Sequence, residues 1–362
     1  MKGFTTKQTQ RADEARKLYH LVGTPSIVNF KGLIKMGMIK NNPVTVEDIN
    51  IAEKIYGPSI HSMKGKTTRQ KPKIVINDTI EIPKELISKN HNIDLCIDII
   101  YVNGLRFLSS IDKQVKYRTT FYIEDGTADT FYKVIADKIT RKYNKAGFII
   151  KHIYCDREFE SLMEKVQDEM DITMNYANAQ EHVPEIERSN RVIKERVRAQ
   201  YHLLPYKNIP KVMIKYLVFE ETKKLNYFPV KGGISKEYSP RMIINGKGLD
   251  YNKHCKIPFG AFVQAHHEPS PTNTNESRTI DAIYLQPVED NMQGGHKVLN
   301  LATKKIITRR KVTEIPTPNH IIKLVVALAK KDGVKSLKFV TSSIAGVEQT
   351  ISKPKRLSQE EN

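Results

Sequence analysis

Residues 95–102, Leu95-Cys96-Ile97-Asp98-Ile99-Ile100-Tyr101-Val102, form an almost unbroken apolar run with one carboxylate near its middle. Asn103-Gly104 ends the run, and a second one follows from Leu105 to Ile111. That order predicts a central strand covered on both faces and turning directly into a hairpin. A carboxylate in such a strand is costly to bury without compensation, so Asp98 requires a metal, a partner or water. The bland reading of Asp98 is a frayed strand end, which its apolar neighbours argue against. Asp94 falls on the same face by strand alternation, but outside the apolar run.

The pattern around this strand predicts an α/β fold. A third strand spans about Tyr117 to Ile123, and a helix follows whose apolar positions Phe131, Val134, Ile135 and Ile139 recur at helical spacing. A strand over Phe148–Tyr154 then ends at Asp156, followed by a helix over Glu158–Met170 and a short strand near Ile172–Met174. A long basic helix runs from about Pro184 to Tyr201, and another from Pro210 to Leu225. Upstream, residues 1–75 read as a helical region ending in the cationic stretch Lys64–Lys73. Beyond Ser239-Pro240, short apolar runs between turn signals predict a small β-rich domain. The expected organisation is therefore 1–75 helical, 76–235 catalytic core, 236–315 β-rich and 316–362 a basic, flexible tail.

Charge narrows the partner. Lys and Arg outnumber Asp and Glu by 59 to 40, a formal net charge of +19, which suits an acidic polymer. No apolar stretch has the length of a membrane helix, and Met1–Thr6 lacks a signal-peptide core, so neither membrane association nor secretion is expected. Cys96, Cys155 and Cys255 are too few and too scattered for a disulfide framework.

Three carboxylates in the order Asp98, Asp156, Glu187 come from two strands and the basic helix. Such a set can hold two hard divalent cations by oxygen ligation and clamp a phosphate between them. Mg²⁺ or Mn²⁺ suits these ligands, whereas His or Cys would select softer metals. Along the helix, Glu187, Arg191, Lys194 and Arg198 share one stripe beside the apolar stripe of Ile186, Ile193 and Val197. The cations of that stripe would hold DNA phosphates. Taken singly, Asp156 could be a turn or cap residue, Glu187 a surface partner of Arg191, and the cations a solvated helix face.

Three segments carry a resemblance: Asp98-Ile99-Ile100-Tyr101-Val102-Asn103-Gly104, Tyr154-Cys155-Asp156-Arg157-Glu158-Phe159 and Glu187-Arg188-Ser189-Asn190-Arg191. With Tyr238–Gly246 and Val298–Arg310, they resemble the integrase of copia-type retrotransposons, in the retroviral integrase superfamily. The resemblance implies a ribonuclease H-like mixed sheet flanked by helices. It also implies a DNA integrase with Asp98, Asp156 and Glu187 as catalytic metal ligands, and with Arg188, Arg191, Lys194 and Arg198 on nucleic acid. The implied partners are retroelement and target DNA and a second copy of the chain, in the nucleus and in a cytoplasmic retroelement particle.

Two departures accompany it. Family members carry a His-His-Cys-Cys zinc module before the core; here His20 is kept, Thr24 stands at the second His position and no Cys precedes residue 96, so no zinc is expected. Thirty residues separate Asp156 from Glu187, a short interval for the family, and Arg157 stands where a small residue is usual. A catalytically inactive nucleic-acid-binding remnant is the alternative reading.

Overall fold

The computed structural model describes residues 3–66, 79–176, 183–267, 274–289, 295–341 and 349–351. The chain divides into two compact units, residues 1–75 with 260–318, and residues 76–259 with 319–362.

The first unit begins with helices α1 (Thr6–Leu21), α2 (Ile27–Lys35), α3 (Val46–Tyr56) and α4 (Ile60–Lys66). Thr5, Ser26 and Thr45 start the first three, each side chain accepting a backbone N–H three residues ahead. Ala12, Ala15, Tyr19, Phe30, Ile49 and Ala52 form the shared core. Arg16 ties α1 to α3: its Nη2 donates to the carbonyls of Ala52 and Gly57 and to the Glu53 carboxylate. Its guanidinium also lies over the rings of Tyr19 and Tyr56.

The second unit holds the site. After α5 (Lys84–Lys89) come β1 (Asn92–Val102), β2 (Leu105–Asp112) and β3 (Arg118–Ile123), each antiparallel to the next. Asn103 and Gly104 both take positive φ, 51° and 74°, as the two-residue turn of a tight hairpin requires. The amphipathic pattern of Phe131 to Ile139 becomes α6 (Ala128–Lys133), a π-helical stretch (Val134–Thr140) and α7 (Arg141–Lys145). Strand β4 (Ile149–Cys155) runs parallel to β1, then α8 (Met163–Met170) leads to β5 (Thr173–Tyr176), parallel to β4. Helices α9 (Pro184–Leu203), α10 (Lys211–Leu225) and α11 (Pro240–Asn245) follow.

The strand order β3-β2-β1-β4-β5, with three antiparallel strands joined to two parallel ones, makes this the ribonuclease H-like mixed sheet flanked by helices that the sequence implies. Strand alternation sorts β1 onto two faces. Leu95, Ile97 and Ile99 pack with Ile135, Ile139 and Val166 from the helices between β3 and β5. Cys96 packs on the other face with Ile111 and with Ile186 of α9. Asp98 shares the α9 face.

The first unit resumes with β6 (Phe262–His266), β7 (Thr279–Pro287), β8 (His296–Asn300), β9 (Ile306–Arg309) and β10 (Val312–Glu314). They form an antiparallel five-stranded sheet in the order β10-β6-β7-β8-β9, the β-rich region expected after Ser239-Pro240.

Three expectations differ from the structure. The helix expected from Glu158 starts as a 3-10 turn over Arg157–Leu162, and α8 begins only at Met163. The core continues past residue 235, because Ile243 and Ile244 of α11 are buried in its apolar cluster. Most of all, the expected flexible tail folds: α12 (Asn319–Lys331) and β11 (Leu337–Thr341) belong to the second unit, and β12 (Gln349–Ile351) pairs with β11. The reason is a stripe of Ile321, Val325 and Ala329 at helical spacing, buried beneath the lysines that dominate the composition. Lys353–Arg356 and the linker beyond Lys66 lie outside the described residues.

Candidate active site

The return of the tail shapes the surroundings of Asp98. Strand β4 pairs with β1 over Asn92–Cys96, and β11 pairs with it over Ile100–Val102. Both lie on the edge away from β2, so residues 97–99 fall between two successive edge partners. In that interval Asp98 Oδ1 accepts the N–H of Ile99 at 2.7 Å. Oδ2 accepts Asn190 Nδ2 of α9 at 2.6 Å.

Asp98 is 8% exposed. Burial is the largest influence on its carboxyl group and raises the pKa to about 7. The Ile99 hydrogen bond and the Lys194 ammonium oppose that rise, while the negative charges of Asp156 and Glu158 add to it. Burial and like charge therefore outweigh the partners present, and near neutral pH the group is about half ionised. Two buried polar oxygens beside it have no hydrogen-bond partner: Asn190 Oδ1, and Oγ of Ser109, which faces Asp98 directly across the β1–β2 ladder.

Asp156 follows the last residue of β4, at the end of a parallel strand where α/β sheets present ligand groups. It precedes the 3-10 turn, yet its side chain makes no capping bond; the Asp156 carbonyl accepts the N–H of Phe159 instead. The cap reading of Asp156 therefore fails. Two residues on, Glu158 is open to solvent, but partial desolvation and then the charge of Asp156 raise its pKa, against the pull of Arg106.

Helix α9 delivers the remaining candidates. Its first turn has Pro184 at a position where the missing N–H costs nothing, and Ile186, Ile193 and Val197 are buried as expected. Glu187, Arg188 and Arg191 are exposed. Lys194 is half-buried; burial lowers its pKa, the Asp98 charge raises it, and Arg198 lowers it again. Arg198 is also half-buried, its guanidinium carbon 5.3 Å from the ring centre of Phe339 in β11.

Asp98, Asp156 and Lys194 thus act on one another directly, and Glu158 joins them. Glu187 occupies the same helix stripe as Asn190 and Lys194, one turn nearer the N-terminus, with its side chain in solvent. Among the described residues no three His, Cys, Asp or Glu side chains stand close enough to hold a metal ion between them. Asp94, the rival carboxylate, is held elsewhere, by His152 Nδ1 at 2.9 Å. Sequence reasoning missed two contributors, Asn190 and Glu158. Both lay inside the quoted motifs, and the spacing of Asn190 and Lys194, four apart on one helix face, was the available signal.

The sequence matches no protein-family model and no curated protein. Among solved structures it is similar to the catalytic core domain of BIV integrase, with 16% sequence identity and a TM-score of 0.32 over 43% of this chain and 94% of that one. The fold assignment rests on the strand order and pairing themselves.

Proposed function

We propose that the chain is an integrase-type polynucleotidyl transferase of copia-like descent, which joins retroelement DNA to target DNA. The observation that carries this reading is Asp98: a carboxylate kept inside an apolar central strand, poised near neutrality by burial and by Asp156 and Glu158, beneath a cationic helix. A group placed so unfavourably for folding is a candidate for function.

The donor set is all carboxylate oxygen, which fits Mg²⁺ or Mn²⁺ and not a softer metal. Asp98, Asp156 and Glu187 are the proposed ligands. A bound cation would supply Lewis-acid stabilisation of a phosphoryl group in transfer. The chain's own residues do the rest. Asn190 orients the Asp98 carboxylate through its amide N–H, and Lys194 offsets negative charge beside it. Arg188 and Arg191, exposed on α9, are placed to contact the phosphates of retroelement and target DNA. Assembly as a homo-oligomer, in the nucleus and in a cytoplasmic retroelement particle, belongs to the same proposal.

The inactive-remnant reading draws on one observation, the absence of a three-ligand cluster among the described residues. A strand-transfer assay with Mg²⁺ or Mn²⁺, run beside filter binding, separates the two. Asp98→Asn, Asp156→Asn and Glu187→Gln should each abolish transfer and keep most DNA affinity. Undiminished transfer by Asp98→Asn sinks the catalytic assignment; DNA binding without transfer by the unmutated protein under either metal favours the remnant.

A further inference from the structure

The sequence places Arg198 on the phosphate-facing stripe of α9, yet the structure puts it under the C-terminal strand. Phe339 is 4% exposed, paired with Val102 at the end of β1, and its ring covers the Arg198 guanidinium. Arg191, two turns earlier on the same helix, is open to solvent. The contact belongs to a built attachment. Asn103, at the hairpin turn, donates its backbone N–H to the Lys338 carbonyl at 2.8 Å and its Nδ2 to the Ser336 carbonyl at 2.6 Å. Its Oδ1 accepts the Lys338 N–H at 2.9 Å. At the other end of the segment, the Asp332 carboxylate accepts the Lys211 N–H at the start of α10.

Two features make this attachment releasable. Strand β11 meets β1 over three register pairs, Ile100–Val102, whereas β2 meets it over eight, Leu95–Val102. A short ladder at a sheet edge opens at far lower free energy than the centre of the sheet. Charge points the same way. Residues 319–341 carry Lys323, Lys330, Lys331, Lys335 and Lys338 against the single acid Asp332, which α10 already engages. The segment brings no carboxylate of its own to Arg198, only an aromatic face, and a polyanion competes well against a ring for a guanidinium.

We propose that the returning segment 319–341 is an autoinhibitory latch that withholds Arg198 from nucleic-acid phosphate until β11 lifts from the β1 edge. The proposal rests on the reading of α9 as the nucleic-acid-facing helix. It makes the C-terminal segment a regulator of DNA grip and sets the release beside Asp98, two residues from the first β11 pair.

The test uses the full chain and the salt dependence of binding to a DNA duplex of fixed length. Phe339→Leu keeps an apolar side chain and removes the ring; the slope of log affinity against log salt should steepen by about 0.9, the signature of one added phosphate contact. Phe339→Tyr keeps the ring and should match the unmutated slope. Adding Arg198→Ala to Phe339→Leu should cancel the gain. An unchanged slope in Phe339→Leu, with the fold intact by circular dichroism, overturns the latch, as does a steepening that survives Arg198→Ala. Failure of the underlying reading looks different: the unmutated protein would bind DNA with no salt dependence, or Arg191→Ala would leave the slope where it was.

Discussion

Two carboxylates are buried in the hairpin of β1 and β2, and the chain treats them in opposite ways. Asp112, at the end of β2, is completely buried, and four donors meet it: the N–H groups of Val115, Lys116 and Tyr117, and the Tyr143 hydroxyl. Asp98, near the middle of β1, has two donors and two carboxylate neighbours. Burial raises the pKa of both. At Asp112 every further influence named lowers it again, because the donors close the β2–β3 loop and pin α7 to it. At Asp98 the neighbouring acids push it further up. The first carboxylate is a structural clip, and the second is held in readiness for a cation.

The sharpest way to break the comparison is to remove the clip. Asp112→Ala leaves three backbone N–H groups and a phenol buried without their acceptor, at about 1–3 kcal/mol for each group that finds no water. Loss of at least about 3 kcal/mol in denaturant unfolding is expected. A variant within about 1 kcal/mol of the parent would show that the loop does not depend on Asp112.

Removing the charge of Asp98 should act the other way. Its folded pKa of about 7 lies above the unfolded value of 3.8, so its contribution to stability is fully present below about pH 4 and is lost as pH rises through 7. In chelator, Asp98→Asn should be more stable than the parent at pH 8, by up to about 4 kcal/mol on the scale of 1.36 kcal/mol per unit. At pH 4 the two should nearly agree. Thermal melts at both values decide it, and a variant less stable than the parent at pH 8 would make Asp98 a second clip.

How far the sequence reached follows from the same two residues. Asp98 stood out because it interrupts an apolar run, and the strand, the Asn103-Gly104 hairpin and the α9 stripe all follow from periodicity and turn chemistry. Asp112 did not stand out. It ends a strand, and its donors come from a loop and a helix whose approach only the tertiary fold sets. The tail was misread for a similar reason: its lysines set the composition, while Ile321, Val325 and Ala329 decide its fate. Glu187 remains the residue on which motif and geometry say least to each other, since its place on the helix is as expected and its side chain lies in solvent.

A smaller effect sharpens the electrostatic half of the comparison. Lys194 is the cation nearest in influence to Asp98, and replacing it by Ala removes one phosphate contact and one charge opposing the rise of the Asp98 pKa. The salt slope of DNA binding should flatten by about 0.9. A slope unchanged by Lys194→Ala would confine that lysine to the service of Asp98.

The most direct measurement is a pH titration of the Asp98 carboxyl carbon by nuclear magnetic resonance, with and without Mg²⁺. The expected result is a midpoint near 7 in the metal-free protein, falling by more than one unit in millimolar Mg²⁺, because a cation bound at the carboxylate favours the ionised form. A midpoint below 5 without metal, or one that Mg²⁺ leaves in place, would contradict the reading of Asp98 as a carboxylate poised for a cation.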